Sequence, residues 1–156
     1  MSEFHLVNEY DHPIVKVWRA LTDPALIARW TVTGQGGRPV GFSTTVGTRF
    51  QYIAKPTLGW RGVVDCEVLA CDAPVLFRYS WRGDADGKVT EVTYRLAPHG
   101  AGTRLTYDHT GFVGIGGYLM ARLLGRVRQR MLSTGLPAVL SSMDAEAGAR
   151  FPVHAR

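Results

Sequence analysis

Leu105, Tyr107 and His109 alternate with Arg104, Thr106 and Asp108. Period-two alternation is the mark of a half-buried strand, so His109 shares the face of its apolar neighbours. A histidine there is either a strand end bonded to backbone, the commoner case, or a polar contact and proton-transfer group inside a cavity. Acid–base catalysis needs a second group. Tyr79, Tyr94 and Tyr107 are the candidates, because Asp108, although adjacent, faces the other way. The same alternation turns Phe50, Tyr52, Phe77, Tyr79, Trp81 and Tyr94 inward. Aromatic residues usually mean core. Several phenols directed inward, however, need hydrogen-bond partners, and a cavity with a few polar groups would supply them.

The elements that must position these residues follow from the same patterning. Phe4, Leu6 and Tyr10 predict a first strand over residues 3 to 10. Pro13 opens a helix carrying Ile14, Val17, Trp18 and Leu21 on one stripe. Asp23-Pro24 starts a second, short helix with Leu26, Ile27 and Trp30. Val40 to Thr45 reads as a short edge strand. Alternating segments around Phe50, Val64, Phe77, Tyr94 and Tyr107 are separated by short turns rich in Gly and Pro. Strands so joined pair antiparallel, because a parallel crossover needs a dozen or more residues. One face of this meander must be covered. The cover is a C-terminal helical segment with Met120, Leu123, Leu124, Val127 and Met131, then Leu136, Val139, Leu140 and Met143, at helical spacing. Pro137 predicts a kink or break near residues 133 to 137. The expected class is α+β: a curved antiparallel sheet of six or seven strands, two short helices after the first strand, and a long, kinked C-terminal helical segment. Residues 1 to 156 form one domain in this reading. The predicted cavity lining adds Trp30, Val64, Leu123, Leu136 and Leu140 to the aromatic set and His109.

Several classes are set aside. Cys66 and Cys71, if on one strand, lie about 16 Å apart on opposite faces, too far for a disulfide. They predict free thiols and a reducing, cytoplasmic setting. No Cys/His cluster at zinc spacing is present, so neither a metal nor a cofactor is expected. Residues 1 to 5 lack the basic and apolar regions of a signal peptide, and no run reaches the ~20 apolar residues of a membrane span. The net charge is +5, with 15 Arg against 3 Lys. Arg122, Arg126 and Arg130, with Arg128 near them, read as a solvated helix face; a basic amphipathic helix can also rest on an anionic membrane. Nucleic-acid binding lacks an accompanying motif. Gly111 to Gly117 matches no dinucleotide or phosphate loop and reads as a flexible loop at the cavity mouth.

Trp18-Arg19-Ala20-Leu21-Thr22-Asp23-Pro24 followed by Trp30 resembles the opening of START-like (SRPBCC, birch-pollen-allergen-like) proteins. Gly62-Val63-Val64, Tyr79-Ser80-Trp81, Gly102-Thr103-Arg104-Leu105 and His109-Thr110-Gly111-Phe112 resemble words of one branch, the C-terminal domain of the heat-shock-protein-ninety ATPase activator. The resemblance spans roughly residues 5 to 145. It implies a helix-grip fold with a cavity between sheet and C-terminal helix that takes lipids, polyketides or other apolar ligands. Three functions remain open: binding or sequestration of such a ligand, a cyclase or aromatase acting on a polyketide, and an interaction module similar to a co-chaperone domain. Monomer and homodimer are both compatible with the sequence.

Overall fold

The structure, a computed structural model, describes residues 2–31, 37–56, 61–83 and 87–150, with the backbone alone for 145–150. The chain runs β1 (Ser2–Tyr10), α1 (Ile14–Thr22), α2 (Pro24–Thr31), β2 (Arg38–Val40), β3 (Arg49–Ile53), β4 (Val63–Asp72), β5 (Leu76–Arg82), β6 (Thr90–His99), β7 (Gly102–Phe112) and α3 (Gly114–Arg130). A π-helical turn (Met131–Gly135) then leads into α4 (Leu136–Arg150). The strands make one antiparallel sheet in the order β1-β7-β6-β5-β4-β3-β2. Consecutive strands are neighbours throughout the meander, and β1 closes on β7. The first two strands are therefore the two edges. The short helices α1 and α2 carry the chain across the covered face from one edge to the other. Val17, Ala20 and Leu21 of α1 and Leu26, Ile27 and Trp30 of α2 enter one buried cluster with the inward faces of β3 to β7 and with Met131, Leu132, Leu136, Val139 and Leu140.

Four expectations change. The edge strand lies at Arg38–Val40, earlier than the alternation suggests, and pairs with Ile53, Tyr52 and Gln51. Gly37 lets it do so: a Cβ there would lie 2.6 Å from the Ile53 backbone. Cys66 and Cys71 do share β4 and are free, but they lie on one face. A bulge between Val68 and Ala70 shifts the register, so Cys66 opposes Trp81 and Cys71 opposes Phe77. The glycine-rich stretch after His109 is not a loop, since β7 ends at Phe112 and α3 starts at Gly114.

The fourth change is the rotation of α3. Its sheet-facing residues are small: a Cβ on Gly117 would meet the Phe112 backbone at 3.0 Å, and one on Gly125 would lie 3.5 Å from the Phe4 ring. Ala121 between them is buried. This close approach to β1 and β7 turns Met120 and Leu123 outward. Leu123, predicted to line the cavity, is 56% exposed.

The kink expected near Pro137 appears as the π-helical turn. Leu136 N–H reaches back five residues to Met131 O. Pro137 has no N–H with which to continue this pattern to Leu132 O. Tyr10 Oη donates to that carbonyl instead, at 2.7 Å in a buried setting. The cover is thereby fastened to the end of β1. Tyr10→Phe leaves a buried carbonyl without a donor and is expected to lower the unfolding free energy by about 1–3 kcal/mol. Urea denaturation of both proteins checks this, and a loss below a few tenths of a kcal/mol would contradict it.

Candidate functional site

The register of the sheet assembles the site. Tyr107 on β7 opposes Tyr94 on β6, and Tyr94 opposes Phe77 on β5. His109 opposes Val92, which opposes Tyr79. Trp81 lies between Thr90 and Cys66, and Tyr52 opposes Val64. Because side chains alternate along every strand, all of these project to the covered face. The rings meet one another: Tyr94 and Tyr107 are 5.3 Å apart, Phe50 and Tyr79 5.5 Å, and Tyr52 and Trp81 6.1 Å between centroids. Tyr79 and Tyr94 share a hydrogen bond between hydroxyls at 3.3 Å. Burial raises the pKa of Tyr52, Tyr79, Tyr94 and Tyr107 above that of a free phenol, so all four are neutral at physiological pH. The hydroxyl of Tyr107 is buried and makes no hydrogen bond of good geometry, with the Tyr79 hydroxyl near it.

His109 lies among Phe112, Phe4 and Trp81, at 4.6, 5.3 and 5.4 Å between ring centroids. Its Nε2 is 2.7 Å from Thr90 Oγ1, and that hydroxyl donates to Trp81 O at 3.3 Å. With the Thr90 hydrogen so committed, Nε2 carries the imidazole proton and donates to Thr90. Nδ1 is left as a buried acceptor with no partner. Burial, and then the charge of Arg128, push the His109 pKa down to about 3. The ring is therefore neutral at pH 7 and a weak base.

Arg128 is the residue that sequence patterning misplaces. Grouped with Arg122, Arg126 and Arg130 it reads as solvated, yet it is 4% exposed. Its guanidinium carbon lies 5.1 Å from the Trp81 ring and 5.8 Å from the Tyr107 ring, and Nη1 donates to Met131 Sδ at 3.4 Å. Such cation–π contacts contribute about 2 kcal/mol or more when desolvated. Among the described residues the buried polar side chains are Thr31, Thr90, Thr93, Thr103, His109 and Arg128, with no carboxylate. The signal for its burial was present in the small residues: Gly117, Ala121 and Gly125 mark the helix face against the sheet, and Arg128 continues that face toward Met131 and Leu132.

The other predicted lining residues separate by role. Phe50, Tyr52, Val64, Phe77, Leu136 and Leu140 are buried in the common cluster, and Trp81 is half-buried at its rim. Trp30 is buried too, but its indole N–H donates to Ala20 O, which ties α2 to α1. Two open grooves run where α3 meets β1, lined by Phe4, Ala121 and Arg122 in common; Tyr118 of α3 lines one of them, and the tyrosines of the sheet line neither. Among the described residues no three His, Cys, Asp or Glu side chains converge as a metal site.

His109 makes stability depend on pH with a definite sign. Its folded pKa lies below the usual 6.5, so between these values the unfolded chain binds more protons. The stabilisation is present above pH 6.5 and is lost as pH falls toward 3, at up to about 1.4 kcal/mol per pH unit. His5 has the opposite sign, since its bonds to Asp108 and Glu3 raise its pKa. Asp65 and Asp144 titrate below their usual range through bonds to Gln51 and Lys16 respectively. The difference between wild type and His109→Gln isolates the histidine. The variant should show a flatter loss of unfolding free energy between pH 6.5 and 4; parallel curves would refute the buried neutral imidazole.

A family model described as Activator of Hsp90 ATPase homolog 1-like protein matches residues 11–151. Among solved structures, protein MLL2253 from Mesorhizobium loti is 28% identical over 90% of this chain and 98% of that chain, with a TM-score of 0.73. CalU16 from Micromonospora echinospora is 22% identical over 94% and 86% of the two chains, with a TM-score of 0.62. DynU16, a protein of the dynemicin biosynthetic locus, is 22% identical with a TM-score of 0.67; 88% of this chain matches 49% of that one. The last two share the fold. No curated protein matches the chain.

Proposed function

The chain belongs to the Activator of Hsp90 ATPase homolog 1-like family, within the START-like (SRPBCC) superfamily, and from that premise we propose that it binds or sequesters a lipophilic small molecule on the covered face of its sheet. One observation carries this reading. Tyr107 Oη and His109 Nδ1, two residues apart on one face of β7, are buried and unpartnered. Unmade bonds of this kind cost about 1–3 kcal/mol each. A ligand with an apolar body and a polar head would accept from the Tyr107 hydroxyl, and a hydroxyl or amide on it would donate to His109 Nδ1, while its body displaces or wedges between rings. The biosynthetic locus of DynU16 supports a natural product of this description as the ligand class.

Binding is favoured over a cyclase or aromatase activity by the electrostatics. A histidine with pKa about 3 is far from the near-neutral value that suits a general acid or base. No buried carboxylate among the described residues orients it. A dansyl-tagged undecanoic acid methyl ester, neutral and apolar, is expected to bind saturably at one per chain and to raise the melting temperature. Tyr107→Phe should weaken it by about fivefold, the worth of one hydrogen bond near 1 kcal/mol. Fluorescence titration reads both, and non-saturable binding by the folded wild type would defeat the proposal.

The outer face of α3 supports a second contact, with an anionic membrane surface from which such a ligand would be drawn. Ile115, Leu119 and Leu123 form one exposed ridge, at 82%, 59% and 56% exposure. Tyr118, Arg122, Arg126 and Arg130 form the next, with Arg122 over the Tyr118 ring. The helix carries no acidic residue. Juxtaposed apolar and cationic ridges suit a helix lying in a lipid interface. The protein should co-sediment with phosphatidylglycerol vesicles more than with phosphatidylcholine vesicles, and Arg122→Glu with Arg126→Glu should abolish the difference. Equal sedimentation with both lipids would exclude this contact.

A further inference from the structure

We infer that Arg128 recognises a carboxylate at the head of the bound ligand. This rests on the ligand-binding reading above and adds the chemistry of the head group. A guanidinium remains protonated in any protein setting, so the buried face of the sheet holds one permanent positive charge. Nothing described inside balances it. The five buried tyrosines are neutral, His109 is neutral, and the buried polar set among the described residues contains no carboxylate. The nearest acids in the strand register, Asp108 and Glu91, project from the opposite face, as alternation requires. Asp108 pairs there with His5. The faces of Trp81 and Tyr107 return part of the desolvation cost, but an isolated buried charge costs more than ring faces supply.

The guanidinium is held in place rather than free to swing. Met131 Sδ takes a hydrogen from Nη1 at 3.4 Å, and two rings flank the group. The remaining N–H donors have no protein acceptor among the described residues and keep some exposure, since none is among the fully buried unpartnered atoms. Tyr107, whose ring Arg128 contacts, brings an unpartnered hydroxyl. A fork of N–H donors with an O–H donor beside it matches the oxygens of a carboxylate. Charge selects the same group. One carboxylate brings the interior to neutrality, whereas a phosphate dianion would leave it with an excess negative charge. Binding would thus remove the unfavourable element of the free protein and place an apolar tail among Tyr79, Tyr94 and Phe77.

Dansyl-tagged undecanoic acid and its methyl ester, titrated against wild type, Arg128→Met and Arg128→Lys, test this. Wild type should bind the acid at least about tenfold more tightly than the ester, the scale of a charge-assisted hydrogen bond. Arg128→Met should bind acid and ester alike, and its ligand-free form should melt at a higher temperature because a buried unpaired charge is gone. Arg128→Lys, which keeps the charge but loses the planar fork, should retain a preference below about threefold and serves if the methionine variant does not fold. Equal binding of acid and ester by wild type would overturn the carboxylate inference and leave the apolar-ligand reading standing. Binding of neither probe would remove both. An acid preference of wild-type size in either variant would also overturn the role of Arg128.

Discussion

The hydrogen bond from Tyr10 Oη to Leu132 O joins the last residue of β1 to the turn of the helix that covers the sheet. Its necessity comes from Pro137, which cannot supply an N–H to the preceding turn. The π-helical turn and the tyrosine resolve that defect together. Their joint effect reaches well beyond one bond. With Leu132 fixed to the edge of the sheet, the phase of α3 is set, and Ala121, Arg128 and Met131 are brought to its inner side. The small residues Gly117 and Gly125 then allow α3 to lie against Phe112 and Phe4. Without such a fastening, apolar burial would favour turning Leu123 and Met120 inward and Arg128 outward, since each buried leucine contributes about 1.5–3 kcal/mol.

The sheet separates two electrostatic regimes across a single thickness of backbone. On the open face, acids and bases pair in water: His5 with Asp108 and Glu3, His99 with Glu9, and Arg61 with Asp65. Such exposed pairs contribute about 0–1 kcal/mol each. On the covered face the described residues supply rings, five neutral phenols, a neutral imidazole and one guanidinium. His5 and His109 lie on adjacent strands and shift in opposite directions, His5 upward through its bonds to carboxylates and His109 downward through burial. Face, rather than residue type, decides what each can do. The covered side is suited to holding a group and poorly suited to moving a proton.

Strand faces were legible in the sequence because period two leaves only two choices, and turns of Gly and Pro fix where each strand ends. His109 and the tyrosines therefore fall where alternation puts them. The exceptions have local causes. A bulge at Leu69 adds one residue to β4 and carries Cys71 back to the face of Cys66. The edge strand moved to Arg38–Val40 because only glycine at 37 fits against Ile53. Helix faces are less determinate. One residue corresponds to about 100° of rotation, so the bulky stripe Met120, Leu123 and Leu124 and the small stripe Gly117, Ala121 and Gly125 are rival faces of α3. Hydropathy favours the first, and close packing against β1 and β7 selects the second. Arg128 was hidden for the same reason, since its spacing among other arginines competes with its place on the small-residue stripe.

The confinement of Arg128 also bears on how strongly such a site would bind. A solvated arginine ordered by a ligand loses rotamer freedom worth about 2 kcal/mol at the moment of binding. Here that freedom is lost on folding, because Trp81, Tyr107 and Met131 already surround the guanidinium. The neighbouring groups are equally fixed, with His109 held by Thr90 and Tyr79 by Tyr94. A pre-ordered head-group site spares the complex these ordering costs. The corresponding cost falls on the free protein, which carries an unpaired charge and an unsatisfied hydroxyl in its core. Such an arrangement lowers the stability of the empty state relative to the filled one, so occupancy and folding reinforce each other through the same few side chains.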